Sequence, residues 1–366
     1  MTIQGLHHIT LVSSNAQRTV DFYTGVLGLR LVKKTVNFDD PGAYHLYFGD
    51  VVGTPGSAVT FFEWPHAQPG RPGIGGTHHF ALGVADYDGL LKWKRRLTDL
   101  GITVSGPYER HYFTSIYFRD PDGVIVEIAT LGPGMTVDEE SQRLGQAQRH
   151  PPDAFTRGRR DETQIAAIIW DEPVTTVESG MALRHGIHHI SAIGADIQRT
   201  DAFLSGVLGL RRIKMTSNFD DPGMAHWYWG NESGEPGTLV TYFEYDLNRK
   251  NYHRVRMGVG QTHHYALTVP DEETQLAFRQ RLLDAGYRVS AVMDRIYFKS
   301  IYTSDPDGHI VELATYGPGF TIDEEEASLG RALMLPPWLE RHRPEIERSL
   351  TPIHIPNSDP IEAIHE

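Results

Sequence analysis

The chain is written twice. GLHHIT at Gly5 returns as GIHHIS at Gly186, and NFDDPG at Asn37 returns unchanged at Asn218, both 181 positions downstream. THH at Thr77 returns at Thr262, DPDG at Asp120 at Asp305, and GPG at Gly132 at Gly317, each 185 positions on. Self-similarity at a fixed offset constrains architecture strongly, because one supersecondary unit cannot bury its apolar face alone and must close on its copies. The repeats divide the chain into an N-terminal half over 1–152, a connector over 153–185 without counterpart, and a C-terminal half over 186–366 that includes a terminal tail.

Each half is itself a weaker duplication. An HH doublet opens a strand, a helix follows, and three further strands come after, the last of the second unit carrying a glutamate. HHITLV has the β-branched alternation of a strand. Asn15 and Asp196 are placed to cap the helices of the first and third units, which Gly28 and Gly209 end. Asp88 is the candidate cap of the second helix, whose Leu90, Trp93 and Leu97 share a face before Gly101. In the fourth, Leu276, Arg279 and Leu283 follow the helical period before Gly286. DPDG makes a tight turn into VIVEIA and HIVELA. The expected fold class is α+β: four βαβββ modules forming two paired half-barrels.

Composition narrows the chemistry. A net charge of −13 without a basic run argues against nucleic acid or anionic membrane as partner. No cysteine is present, so thiolate metal sites and iron–sulfur clusters are excluded. No apolar run reaches membrane-spanning length and MTIQGLHHITLV reads as a strand rather than a signal peptide, so a cytoplasmic location is expected.

Histidines and glutamates recur at matching places: His8, His79, His189 and His264, with Glu127 and Glu312. Alternate residues of a strand face opposite ways, so one histidine of each doublet faces the interior. One such histidine from each of two paired modules plus one glutamate is a two-histidine, one-carboxylate set, which suits non-haem Fe(II) and leaves coordination positions open. The spacing does not fix which modules pair. A first-with-fourth pairing gives His8, His264 and Glu312; a third-with-fourth pairing gives His189, His264 and Glu312. His79, Glu127 and His189, with Ser191, Arg110 and Tyr117, form a second set that is either a second metal site or a structural copy.

On these motifs, HHIT, THHYAL and DPDGHIVELA, and on LPPWLERHRPEIERSL near the end, the chain resembles the vicinal oxygen chelate superfamily. It is similar in particular to ring-cleaving dioxygenases of the hydroquinone type. The resemblance implies Fe(II), with Mn(II) as a substitute, held by His8, His264 and Glu312 between the first and fourth modules. It implies His7, Thr10, His263, Arg295 and Tyr302 as catalytic supports, although His7 and His263 point away in a regular strand. It further implies extradiol-type cleavage of an aromatic diol by O2; homo-oligomerisation is left open. Phe38, Tyr44, Tyr47, Phe61, Trp227 and Tyr265 are candidates to hold the ring. Two other functions share such a fold. A glyoxalase-like isomerase needs a second carboxylate where alignment places Phe61, with Glu63 two residues on; a small-molecule binding protein needs no ligands at all.

Overall fold

The computed structural model describes residues 1–249 and 252–355; the end of the tail, 356–366, lies outside them. Sixteen strands form in four groups of four. The first group is β1 (Gly5–Ser13), β2 (Arg30–Asn37), β3 (Asp40–Gly49) and β4 (Ala58–Glu63); the second is β5 (Gly76–Val84), β6 (Ser105–Glu109), β7 (Thr114–Arg119) and β8 (Ile125–Thr130). The third is β9 (Ile187–Gly194), β10 (Arg211–Ser217), β11 (Ala225–Gly230) and β12 (Leu239–Glu244); the fourth is β13 (Thr262–Val269), β14 (Met293–Asp294), β15 (Lys299–Ser304) and β16 (Ile310–Thr315). Each group carries one helix after its first strand, so the α+β fold of four βαβββ modules is what forms.

Pairing runs across the repeat rather than along it. One eight-stranded sheet has the order β14-β15-β16-β13-β1-β4-β3-β2 and the other β10-β11-β12-β9-β5-β8-β7-β6. Module 1 therefore joins module 4, through antiparallel β1 and β13, and module 2 joins module 3, through antiparallel β5 and β9. Neither sequence half holds a complete sheet.

Local signals act mostly as expected. The Asn15 side chain accepts from the Arg18 N–H at 2.9 Å, and Asp196 accepts from Gln198 and Arg199. The helices they start turn π-helical over Asp21–Val26 and Ala202–Val207. Gly28 ends the first at φ +70°, a conformation that costs a residue with a Cβ. Two expectations shift. The cap of helix Tyr87–Asp99 is Asp86, which accepts from Gly89, while Asp88 sits in the first turn, where it favours the helix dipole. In helix Glu272–Asp284 the buried face is Gln275, Phe278 and Leu282, and Leu276 and Leu283 are exposed. Gln275 takes an interior place because its amide donates to the Lys299 and Leu313 carbonyls, each at 2.8 Å.

The strands are apolar on both faces because each sheet is covered twice. One face packs on the module helices, as with Tyr23 against Phe61 at 4.6 Å between ring centres. The other lines the interior. Two buried lysines pin the segments that cross this interior. Lys33 Nζ donates to the Phe320 carbonyl at 3.1 Å and pairs with Asp323 and Glu324; Lys214 does the same with the Met135 carbonyl, Asp138 and Glu139. A fully buried ammonium persists only when its charge and protons are satisfied, as they are here.

Candidate metal centre

A β-bulge decides how each histidine doublet is used. Along β1 and β13 the register steps from Leu6 to His8 and from His264 to Thr262, leaving His7 and His263 as the extra residues. Along β5 and β9 it skips His78 and His188 in the same way. A bulge re-aims the residue it carries. His7 and His263 therefore do not point away, as a regular strand would have them; each turns back onto its neighbour.

The consequence is a fixed tautomer. His7 Nε2 lies 3.2 Å from the Thr315 carbonyl oxygen, which only a donor can satisfy. Burial, followed by the neighbouring His8, pushes the His7 pKa down to about 3, so the ring is neutral and its Nδ1 must accept. His8 Nδ1, 2.8 Å away, then carries the proton, and His8 Nε2 is left with a free lone pair. His263 Nδ1 meets His264 Nδ1 at the same distance.

The Nε2 atoms of His8 and His264 converge. His8 Nε2 and His264 Nε2 stand 3.2 Å apart, and Glu312 Oε2 lies 3.3 and 2.9 Å from them. All three residues are buried. Burial works against ionisation of Glu312, but the neighbouring His8 and His264 outweigh it and hold its pKa well below the ordinary range. His264, chiefly by burial, is held below its usual value. An ionised carboxylate is the donor state a metal needs. Glu312 Oε2 has no aligned hydrogen-bond donor, whereas Oε1 accepts from the Ser300 hydroxyl. Lone pairs facing one point around an orphaned carboxylate oxygen fit a divalent cation.

The remaining expected residues lie around this point. Thr10 Oγ1 is 2.9 Å from His264 Nε2 and 2.8 Å from Thr60 Oγ1. The Tyr302 ring meets the His264 ring edge-on at 5.7 Å, and Arg295 Nε donates to the Tyr302 hydroxyl at 3.2 Å. Burial raises the Tyr302 pKa, so the phenol keeps its proton. Arg295 is presented by a strained loop: Ile296 next to it has φ +69°, rare for a β-branched residue.

The fold and this donor set can be set beside known proteins. A family description, the Glyoxalase/Bleomycin resistance protein/Dioxygenase superfamily, matches residues 5–128 and 186–313. The chain belongs to this superfamily. Within it the kinship is to ring-cleaving dioxygenases. MhqA of Bacillus subtilis, named provisionally as one, is 32% identical over 355 residues, 96% of this chain and 100% of the relative. A chlorohydroquinone/hydroquinone 1,2-dioxygenase of Sphingobium indicum is 30% identical over 354 residues, 95% and 96% of the two chains. A Bacillus subtilis crystal structure described provisionally as a dioxygenase superposes with TM-score 0.74 at 31% identity, covering 97% and 98%. Maize glyoxalase I shares the fold at TM-score 0.56 and 16% identity, covering 85% and 92%.

The position at which the isomerase reading asks for a second carboxylate lies on β4. Glu312 on β16 pairs with Ala266, two residues past His264; its counterpart on β4 pairs with Thr10, two residues past His8. That counterpart is Thr60, not Phe61, which points the other way and packs in the core. Glu63 is no substitute, because its carboxylate caps a helix by accepting from Ala16 N–H at 2.8 Å. The second carboxylate is thus a threonine.

The parity of β4 also moves the aromatic lining. Phe62, not Phe61, lies against His45 at 4.3 Å, and Phe298 stands 5.3 Å from His8. Of the six aromatics expected to hold a ring, Tyr47 reaches the site, where its hydroxyl meets His45 Nδ1 at 2.9 Å. Tyr265 is tied to the Tyr242 hydroxyl, and Phe38 packs on Trp338. His45, whose Nε2 is 3.0 Å from Thr60 Oγ1, escaped the sequence reading although the repeat marks it, since His226 stands 181 positions on.

The third-with-fourth pairing is not formed. His189 faces His79 and Glu127 instead, and these close as a second set of the same shape.

Proposed function

We propose that the chain is an Fe(II)-dependent dioxygenase that cleaves the ring of a hydroquinone- or catechol-type diol, with His8, His264 and Glu312 as the metal ligands. The observation that carries this is the three-donor set with a threonine where an isomerase would place a fourth ligand. Three protein ligands leave positions for substrate and O2. What the ion supplies when bound is Lewis acidity toward the substrate hydroxyl and a route for electron density from ring to O2.

The chain's own groups do the rest. His7 and His263 hold the ligand imidazoles in the tautomer that presents Nε2. Thr10, Thr60, His45 and Tyr47 form a hydrogen-bonded line beside the centre. Arg295 occupies a lone pair of Tyr302, so the phenol proton remains available to a substrate oxygen, and the pre-placed pair stabilises negative charge that develops there. Phe62 and Phe298 exclude water and offer flat apolar surface to the ring. Kinship to a hydroquinone 1,2-dioxygenase supports the diol class, and a soluble cytoplasmic setting accords with the lack, among the described residues, of any helix long and apolar enough to cross a membrane.

The test is anaerobic loading with Fe(II), removal of excess metal, and oxygen uptake with hydroquinone and catechol side by side. Uptake with at least one, reduced in Glu312→Gln, is expected. Metal retention without uptake on either diol, or unchanged turnover in Glu312→Gln, overturns the proposal.

A further inference from the structure

The structure assigns a second divalent-metal centre to His79, Glu127 and His189, opening into a cavity that takes a phenolic aromatic. The metal assignment stands on its own geometry; the ligand class rests on the function proposed above.

The donors match the first set. Glu127 Oε2 lies 2.8 Å from His79 Nε2 and 3.3 Å from His189 Nε2, and the two Nε2 atoms are 3.4 Å apart. The bulged partners are kept, with Nδ1–Nδ1 distances of 2.7 Å for His78–His79 and 2.9 Å for His188–His189. Here neither oxygen of the fully buried Glu127 has an aligned hydrogen-bond donor. A buried carboxylate without donors is costly, and a cation between it and two imidazole lone pairs removes the cost.

A structural relic predicts drift in the polar surroundings, and drift is seen elsewhere. Between β3 and β11 the outward residues Tyr44, Leu46 and Phe48 have become Ala225, Trp227 and Trp229, while inward His45 and Tyr47 recur as His226 and Tyr228. The supporting contacts recur too. His226 Nε2 is 2.9 Å from Thr241 Oγ1, which is 2.8 Å from Ser191 Oγ, and Arg110 Nε donates to Tyr117 at 3.2 Å. His111 next to Arg110 has φ +67°, the same strained conformation as Ile296.

The second set also opens on a cavity of about 660 Å³, bounded by His79, Glu127 and His189 on its floor and by Phe113, Phe219 and Phe243 on its walls. That volume is in the range of small-molecule sites. The charged groups beside it differ from those at the first set. Asp220 pairs with Arg110 at 3.1 Å and also with Arg160 at 2.7 Å, and Arg160 lies 4.1 Å over the Tyr108 ring. Arg160 belongs to the connector, which the repeat does not duplicate. The equivalent Asp39 is largely exposed and meets Arg295 at 3.4 Å. The two donor sets thus match, while the charged groups beside them differ.

Metal content distinguishes the two readings. Wild-type chain and the His264→Ala, His189→Ala and double variants are loaded anaerobically with Fe(II), desalted and counted by elemental analysis, with circular dichroism melting as a folding check and Glu127→Gln as an isosteric second variant. Two ions per chain, one in each single variant and in Glu127→Gln, and none in the double variant, is the expected result. One ion that His264→Ala removes and His189→Ala and Glu127→Gln do not overturns the second centre and leaves the first reading standing. One ion lost only with His189 or Glu127 overturns the first assignment and upholds the second. No retained ion overturns both. Anaerobic calorimetry with catechol then tests the cavity: Arg110→Met should keep two ions and weaken one of two catechol sites about tenfold, and unchanged binding at both removes the cavity as a ligand site.

Discussion

The bulged histidine permits a sharp test. In His7→Leu the His8 Nδ1–H loses its acceptor at 2.8 Å and stays buried. An orphaned buried donor costs about 1–3 kcal/mol. Each 1.4 kcal/mol is about a factor of ten in binding, so the orphan and the freed tautomer together should weaken metal affinity about 10–100-fold, the range for groups that orient a ligand histidine. His7→Asn returns an acceptor oxygen near the lost Nδ1 and should recover much of that loss, although the donor to the Thr315 carbonyl is not replaced. The assay is anaerobic Fe(II) titration against a competing chelator in a Glu127→Gln background, so that the first centre alone reports. Leucine binding within twofold of the parent refutes the tautomer argument. Asparagine as weak as leucine refutes the acceptor as its cause.

Further outcomes follow from other sites. Lys33→Met leaves Glu324 and Asp323 without their buried cation; urea unfolding should show a loss of about 3–5 kcal/mol, and a change under 1 kcal/mol would refute the pinning role. In a Glu127→Gln background, Thr60→Glu installs a carboxylate beside the first centre and should keep the metal while cutting oxygen uptake; full uptake would show that the open position is not what matters. The His309 pKa is pushed down to about 3, first by burial and then by His264 and His263. A folded value below the free 6.5 means the stabilisation is complete above pH 6.5 and declines as pH falls toward 3, by roughly 3 kcal/mol at pH 4.5. His309→Gln should flatten that part of the wild-type pH dependence, and an unchanged slope between pH 7 and 4.5 would refute it.

Particular residues show how far the sequence could be read. The modules, the capping Asn15 and Asp196, and the recurrence of His8, His79, His189 and His264 were legible because each is a local pattern copied at fixed offset. Phe61 was misassigned for want of strand register: one step along β4 exchanges core and interior, and only the pairing of Thr10 with Thr60 sets the parity. His7 was misdirected because a bulge leaves no mark in periodicity. Leu276 follows the helical period yet is exposed, because apolar spacing cannot see that Gln275 finds two carbonyls inside.

The sequence by itself determined the repeat, the strand-and-helix grammar of each module and the kinds of donor atom available, since all of these depend on neighbours along the chain. Only the tertiary structure decided which modules share a sheet, and so which histidines meet which glutamate. His8 and His264 are 256 residues apart. Nothing local separates a pairing of module 1 with 4 from one of 3 with 4; the choice is made by burial of whole sheet faces and by the antiparallel seam of β1 with β13, which no short stretch of chain encodes.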